Sequence, residues 1–372
     1  MPNTSTPKKT VKRGGFGACF GVSLLFGMDL RRINGATVHS LNLAKALRYA
    51  GVDAQIVSFD SLKAPQALWL LKAPFAAREK TVFIRSGLPL VPVLLSRLLG
   101  KKVFLNVAAL KQFECDALAR PLVKISEDLA IRLSNGGVAT ISPHLAAYCR
   151  SRGASRVFVY PLCVDLEKFA RAKPAKGKTE EKAKEKGRKE KKFVLGYVGS
   201  GDEWQGLDLL ADALKKVGSE KSSEKIELRA YGSVSEERKK FFAGDPRAKF
   251  FKPVPNEEIP SLLKSFDLFV IPRPHHATAE YATPIKLVEA FAAGCAVLAT
   301  DVGGVAWLAR DGENALVCEA SSGALAEKII FALENLGKLA SLRKNAAATA
   351  KKSDYRVVGE KLALFLEGKN GA

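Results

Sequence analysis

The 372-residue chain predicts two doubly wound α/β domains, each built on a parallel sheet and facing the other across a cleft. Three observations carry that expectation. Short apolar runs alternate with amphipathic helical patterns from Ala18 to Tyr160 and again from Phe193 to Thr300, and such alternation makes parallel sheets. The length exceeds one typical hydrophobic core. Residues 171–192, RAKPAKGKTEEKAKEKGRKEKK, hold almost no apolar side chain, so they divide the chain as a linker or insertion. The expected organisation is a basic tail (1–13), an N-terminal domain (14–170), the charged segment (171–192) and a C-terminal domain (193–372) whose last helix packs back on the first domain.

In the first domain, ACFGVSLLF (18–26) reads as a buried strand, followed by a loop and the helix VHSLNLAKALRYAG. Asn34-Gly35 in that loop lets backbone approach a ligand. DAQIVSF (53–59), Thr81 to Ile84, Lys102 to Val107, Val138 to Ile141 and Val157 to Tyr160 read as further strands. The second domain restarts with FVLGYVGS, a strand entering a glycine loop. Gly199 and Gly201 begin a G-x-G, but Trp204 stands where a dinucleotide fingerprint needs its third glycine, so that reading fails. Strand and helix patterns then continue through KIELRAYGS, KFFKPVP and SFDLFVIP.

The stretch Thr278 to Gly304 reads as both structure and chemistry. Thr283 is placed to cap a helix with Pro284 at its first position. Ile285, Val288 and Ala292 recur at helical spacing, Gly294 supplies the stop, and Ala296 to Thr300 suits a buried strand. Lys286 and Glu289 share one helix face, and Lys286 stands in the first turn, where unpaired N–H groups favour an anion. A phosphate with a sugar hydroxyl beside it suits that face; the competing reading is a solvated ion pair.

Net charge is +21, and the C-terminal half, with 24 Lys/Arg against 24 Asp/Glu, contributes none of it. The basic N-terminal half calls for an acidic partner, whether a membrane surface, a phosphorylated substrate or nucleic acid. Nucleic acid is the weakest of these, because no aromatic-basic interleaving accompanies the charge. Six scattered cysteines form no C-x-x-C pair, which argues against zinc and against a disulfide framework and points to a reducing cytoplasm. The most apolar run, Leu88 to Leu99, is interrupted by Pro89, Pro92 and Arg97 and is too short to span a bilayer.

In their ordered succession, several segments resemble the GT-B glycosyltransferases, specifically the retaining family 4 enzymes. These are NGATVHSLNLAKALRYAGVDAQIV, ATISPHLAAYCR, VYPLCVDLEKF, GYVGSGDEWQGLDLLADAL, AYGS and TPIKLVEAFAAGCAVLATDVGG. The resemblance implies two Rossmann-like domains and transfer of a sugar from a UDP- or GDP-sugar to a lipid-linked or cell-envelope glycan acceptor. It implies no metal or other cofactor. It further implies that Glu289 binds the donor's ribose hydroxyls and that Thr283, Pro284, Ile285 and Leu287 border its diphosphate. Gly199, Gln205 and Gly206 would lie beside the phosphates and Gly232 would also border the donor, with Gly35 approaching from the facing domain. A cytoplasmic enzyme, peripheral at an anionic membrane surface through its basic N-terminal domain, is the location that the resemblance implies.

The chain departs from the family pattern at three places. Tyr281 stands where the family's E-x7-E motif has its first glutamate, so a subgroup with P-x-K-x-x-E is the closer match and Glu280 inherits no role. Gln205 replaces a lysine in the first C-domain loop, leaving Lys286 as the candidate to supply that charge. No histidine follows the fourth strand in VFLNVAALKQFE; His39 and His276 remain as candidates for acceptor or acid/base work. The other readings are a nucleotide-sugar 2-epimerase of the same fold and a degenerate protein that only binds nucleotide or partners.

Overall fold

The computed structural model describes residues 20–32, 34–175, 192–218 and 225–369. The basic tail and most of the charged segment expected at 171–192 lie outside them. Apolar runs buried on both faces dictate parallel sheets, because helices must cover each side. The first half runs β1 (Gly21–Phe26), α1 (Gly35–Tyr49), β2 (Asp53–Ser58), α2 (Gln66–Ala76), β3 (Thr81–Arg85), α3 (Leu90–Leu98), β4 (Lys102–Val107), α4 (Arg120–Leu133), β5 (Gly137–Thr140), α5 (Pro143–Ser151) and β6 (Val157–Val159). Its six strands are all parallel in the order β2-β1-β3-β4-β5-β6, with β1 registered by Gly21 on Asp53 and Ser23 on Val82.

The second half runs β7 (Phe193–Val198), α6 (Leu207–Val217), β8 (Ile226–Tyr231), β9 (Ala248–Phe251), β10 (Leu268–Ile271), α7 (Ala277–Tyr281), α8 (Ile285–Ala292), β11 (Val297–Thr300), β12 (Leu316–Cys318), α9 (Ser322–Glu334), α10 (Leu336–Ala350) and α11 (Tyr355–Glu367). Its order is β12-β11-β10-β7-β8-β9, again all parallel. Strand order reverses beside β1 in one sheet and beside β7 in the other, and ligands bind at such switch points. The last helix returns to the first half. A Cβ on Gly359 of α11 would lie 2.1 Å from the Ala46 carbonyl oxygen of α1, and Phe365 stacks on Phe158 at 5.1 Å.

Two local expectations are corrected. Gly35 is not a loop residue but the first residue of α1, because Asn34 caps the helix: its side chain accepts from the Ala36 and Thr37 amides while the Thr37 hydroxyl accepts from the Asn34 amide. Helix α8 begins one residue late. Pro284, with an extended ψ of 127°, takes the capping position itself, and Thr283 instead accepts a hydrogen bond from Trp307 Nε1 at 3.0 Å.

Candidate active site

Helix α8 is amphipathic in a way that decides its orientation. Leu287, Val288, Ala290 and Phe291 are buried, leaving Lys286 and Glu289 to border a cavity of about 640 Å³. That volume suits a small-molecule ligand. Thr283, Pro284 and Ile285 line it as well, and no side chain caps the first turn of α8. Lys286 Nζ donates to the Val198 carbonyl at 2.9 Å and to Gln205 Oε1 at 3.0 Å, and lies 5.1 Å from the centre of the Tyr197 ring. Arg273, just past the end of β10, joins it on the cavity floor and donates to the Ala282 carbonyl, while its Nε has no partner.

These cations are met by neutral oxygens, and burial disfavours their charge. Burial first, and Arg273 second, bring Lys286 down to about 7, while burial lowers Arg273 to about 10. Burial pushes Glu289 up to about 7 against the opposing pull of Lys168 and Lys286. An anion entering the floor would supply what the two cations lack.

The loop after β7 shapes the same floor. A Cβ on Gly199 would stand 2.0 Å from Gln205 Oε1 and 3.1 Å from Lys286 Nζ, so only glycine leaves room for the hydrogen bond between those side chains. Gln205 is fixed from several sides: it accepts from Tyr197 Oη at 3.2 Å and donates to Ser200 Oγ at 2.7 Å. Gly232 follows β8 and packs directly on Gly199, where its φ of 148° is one that other residues rarely adopt.

The opposite wall comes from the first sheet. Asn34, Gly35, His39 and Arg85 line it together with Ala108, Ala109, Ile141 and Leu162. Gly35 faces Ile285 of the other half across 3.4 Å, measured from a built Cβ. His39 is buried, stacks on Tyr160 and meets its hydroxyl at 3.1 Å. Burial and the neighbouring Arg85 hold its pKa well below the ordinary value, so its ring is neutral. Arg85 donates to Ser40 Oγ at 3.1 Å.

The structure thus gathers Lys286, Glu289, Gly35, Gly199, Gln205, Gly232, Thr283, Pro284, Ile285 and His39 around one cavity. Three expected residues stand elsewhere. Leu287 is fully buried and its amide is spent on the Pro284 carbonyl at 3.1 Å, so it offers no N–H to a phosphate. Gly206 makes the left-handed turn that opens α6, outside the cavity lining, and a Cβ there would collide with the Pro272 carbonyl. His276 is a helix cap, its Nδ1 accepting from the Thr278 amide at 3.1 Å, and it too lies outside the lining. Sequence reading passed over Arg85 and Arg273. Their signal was a basic residue at the carboxyl end of an apolar strand, the end where parallel sheets bind ligands.

Two parallel doubly wound domains enclosing such a cleft define the GT-B class. Residues 178–351 match the model of the family described as Glycosyl transferases group 1, so the half that supplies Lys286, Arg273 and Glu289 is a glycosyl transferase domain and the chain an enzyme of the glycosyltransferase type. Solved structures agree on the fold. Sucrose-phosphate synthase from Thermosynechococcus elongatus superposes with a TM-score of 0.73 at 16% identity, over 94% of this chain and 98% of that one. Anabaena HepE in complex with UDP-glucose gives 0.70 at 16% identity, over 93% and 99%. WaaG, a glycosyltransferase of lipopolysaccharide biosynthesis, gives 0.67 at 17% identity, over 94% and 100%. No curated protein sequence matches the chain.

Proposed function

We propose that the protein transfers a sugar, with retention of anomeric configuration, from a UDP-sugar to a glycan or lipid-linked acceptor, with a GDP-sugar as the second candidate donor. The observation that carries this reading is the floor of the cavity: Lys286 and Arg273 beside the uncapped first turn of α8, with Glu289 one helical turn on. When the bond between the sugar and the diphosphate breaks, charge grows on the departing oxygen. The two cations and the Ile285 and Lys286 amides of the first turn stabilise it without a metal or other cofactor. An ionised Glu289 accepts hydrogen bonds from two ribose hydroxyls. Retention is supported by the wall opposite, whose lining residues include no carboxylate to serve as an acceptor base and whose His39 is made a weak base by burial, which lowers its pKa well below the ordinary value. In this reading the acceptor's proton passes to the departing diphosphate. UDP is favoured because HepE, a fold relative, has been solved with UDP and with UDP-glucose. The group 1 match weighs against a 2-epimerase. An acceptor at an anionic membrane surface is supported by the basic N-terminal half.

Thermal-shift titration with UDP, GDP and ADP, followed by hydrolysis of a panel of sugar nucleotides, tests the donor. UDP is expected to stabilise the protein most, and NMR of the product anomer is expected to show retention. Turnover giving the opposite anomer, or stabilisation by ADP alone, would overturn the reading.

A further inference from the structure

The chain leaves its first half through the short helix Leu166–Arg171, which packs on α8 and on the helix Ile259–Leu263 of the second half. Asp165 caps this crossing helix, accepting from the Lys168 amide at 3.2 Å, and Phe169 is buried beneath it. Its charged side chains divide. Glu167 pairs with Arg171 at 3.1 Å and with Arg356 at 2.7 Å. Lys168 forms no salt bridge among the described residues; its Nζ donates to the Asn256 carbonyl at 2.9 Å. Asn256 lines the cavity with Glu289, whereas Lys168 stands outside the lining. The crossing is fastened around it: Lys264 Nζ donates to the Ala172 carbonyl at 2.8 Å, and the Ala175 amide to the Ser261 carbonyl at 2.9 Å. Lys168 is therefore a cation fixed behind the site.

Glu289 needs such a cation. Among the described residues nothing donates a hydrogen bond to its carboxyl, which borders the cavity. Burial pushes that carboxyl up to about 7, and the opposing pull comes from Lys168 first and Lys286 second. Lys286 is a poor partner for the task, because its own ammonium comes down to about 7 and loses charge over the range in which Glu289 gains it. The other charges on the elements around α8 are engaged or turned away. On α1, His39 meets Tyr160, Lys45 pairs with Asp165 and Arg48 donates to the Ala54 carbonyl. On α10, Arg343 donates to the Asp267 carbonyl at 2.8 Å, while Lys338 and Lys344 are exposed. Glu257 and Glu258, ahead of the helix Ile259–Leu263, are exposed as well. Asp202 and Arg273 act on Lys286.

We propose that Lys168 is a positioning residue of the donor site: anchored on the Asn256 carbonyl, its ammonium holds Glu289 in the ionised form that receives the ribose hydroxyls. This rests on the reading of Glu289 given under the proposed function. A cation bonded directly to the carboxylate would occupy the oxygens that the hydroxyls need. One held behind the lining favours the charge and leaves those oxygens free. Removing it raises the pKa of Glu289, so the acid limb of donor binding moves to higher pH. The loss is greatest where Glu289 is then protonated and vanishes at a pH above both pKa values.

The test titrates the full chain carrying carbon-13 at its glutamate carboxyls, with the resonance absent from Glu289→Gln assigned to Glu289. Its midpoint is expected at about 7 in the native protein and higher by about 0.5–1 in Lys168→Met. Lys168→Gln, which can still donate to the Asn256 carbonyl, should behave like Lys168→Met, and Lys168→Arg should restore the native midpoint. Calorimetry with UDP then reads the consequence: a dissociation constant about three- to tenfold above native at pH 6 for Lys168→Met, converging on native by pH 9. An unmoved midpoint would overturn the role of Lys168 and leave the donor reading standing. A loss of affinity equal at every pH would also overturn it, since Lys168 would then hold the wall and not the charge. A midpoint that moves while UDP affinity is indifferent to Glu289→Gln would remove the donor reading of Glu289, and the positioning role with it.

Discussion

Lys286 is where function and stability oppose one another most directly. Its ammonium sits near about 7 instead of its ordinary 10.5 because it is buried beside Arg273. Between those values the unfolded chain binds more protons than the folded one, so this group makes stability rise with pH from about 7 to 10.5 and costs stability in full below 7. Lys286→Met is therefore expected to melt no lower than the native protein at pH 6, with its relative advantage shrinking as pH rises; a melting temperature well below native at pH 6 would contradict this. Under the proposed function the same variant should lose about 10²- to 10³-fold in kcat, because it removes the cation that the proposal aims at the developing charge. Glu289 has the opposite sign: its pKa rises from 4.5 to about 7, so the native state holds the extra proton and stability falls as pH climbs through that window. In the proposed function the donor is held by a protonated Lys286 and an ionised Glu289, so kcat/KM should be bell-shaped around pH 7. Glu289→Gln should lose the acid limb while keeping the alkaline one, which a pH profile of the two enzymes reads directly.

At the scale of elements, the helix α8 and strand β11 were legible because their information is local. Lys286 and Glu289 are three residues apart, and helical periodicity alone puts them on one face. Gly294 was legible as a stop for the same reason, and its φ of 65° with open space around a built Cβ isolates one effect. Gly294→Ala should cost about 1 kcal/mol, all of it backbone conformation, and leave UDP binding unchanged; chemical denaturation and a UDP titration measure the two parts. Arg273 and Arg85 were not legible as site residues, because what brings them to the cavity is the approach of two strand ends 188 positions apart in the chain. His276 shows the complementary limit. Nothing in the local pattern HHATAEY shows that its Nδ1 caps the five-residue helix it precedes.

The two halves of the molecule are held in register by contacts that no local pattern encodes, and Tyr281 is the clearest of them. Its ring lies flat on Phe113 at 5.4 Å and packs edge-to-face with Tyr148 and His144 at 5.7 and 6.2 Å. Thr278 of the same short helix α7 donates to the Phe113 carbonyl at 3.1 Å. All three aromatic partners belong to the first half, and α7 leads straight into the floor helix α8. Clamping α7 thus fixes the distance between the floor that carries Lys286 and the wall that carries His39. An aromatic contact of this kind contributes about 0.5–1.5 kcal/mol beyond the area it buries. If donor binding needs both walls together, weakening their contact by that amount reduces apparent affinity by up to about tenfold, since the binding-competent fraction falls by the same factor. Tyr281→Ala is expected to raise the UDP dissociation constant within that range and to enlarge the radius of gyration in solution, with UDP restoring the native value. Tyr281→Phe keeps the ring and should behave as native. Unchanged affinity and radius in the alanine variant would mean that the remaining contacts, α11 against α1 among them, hold the cleft without it.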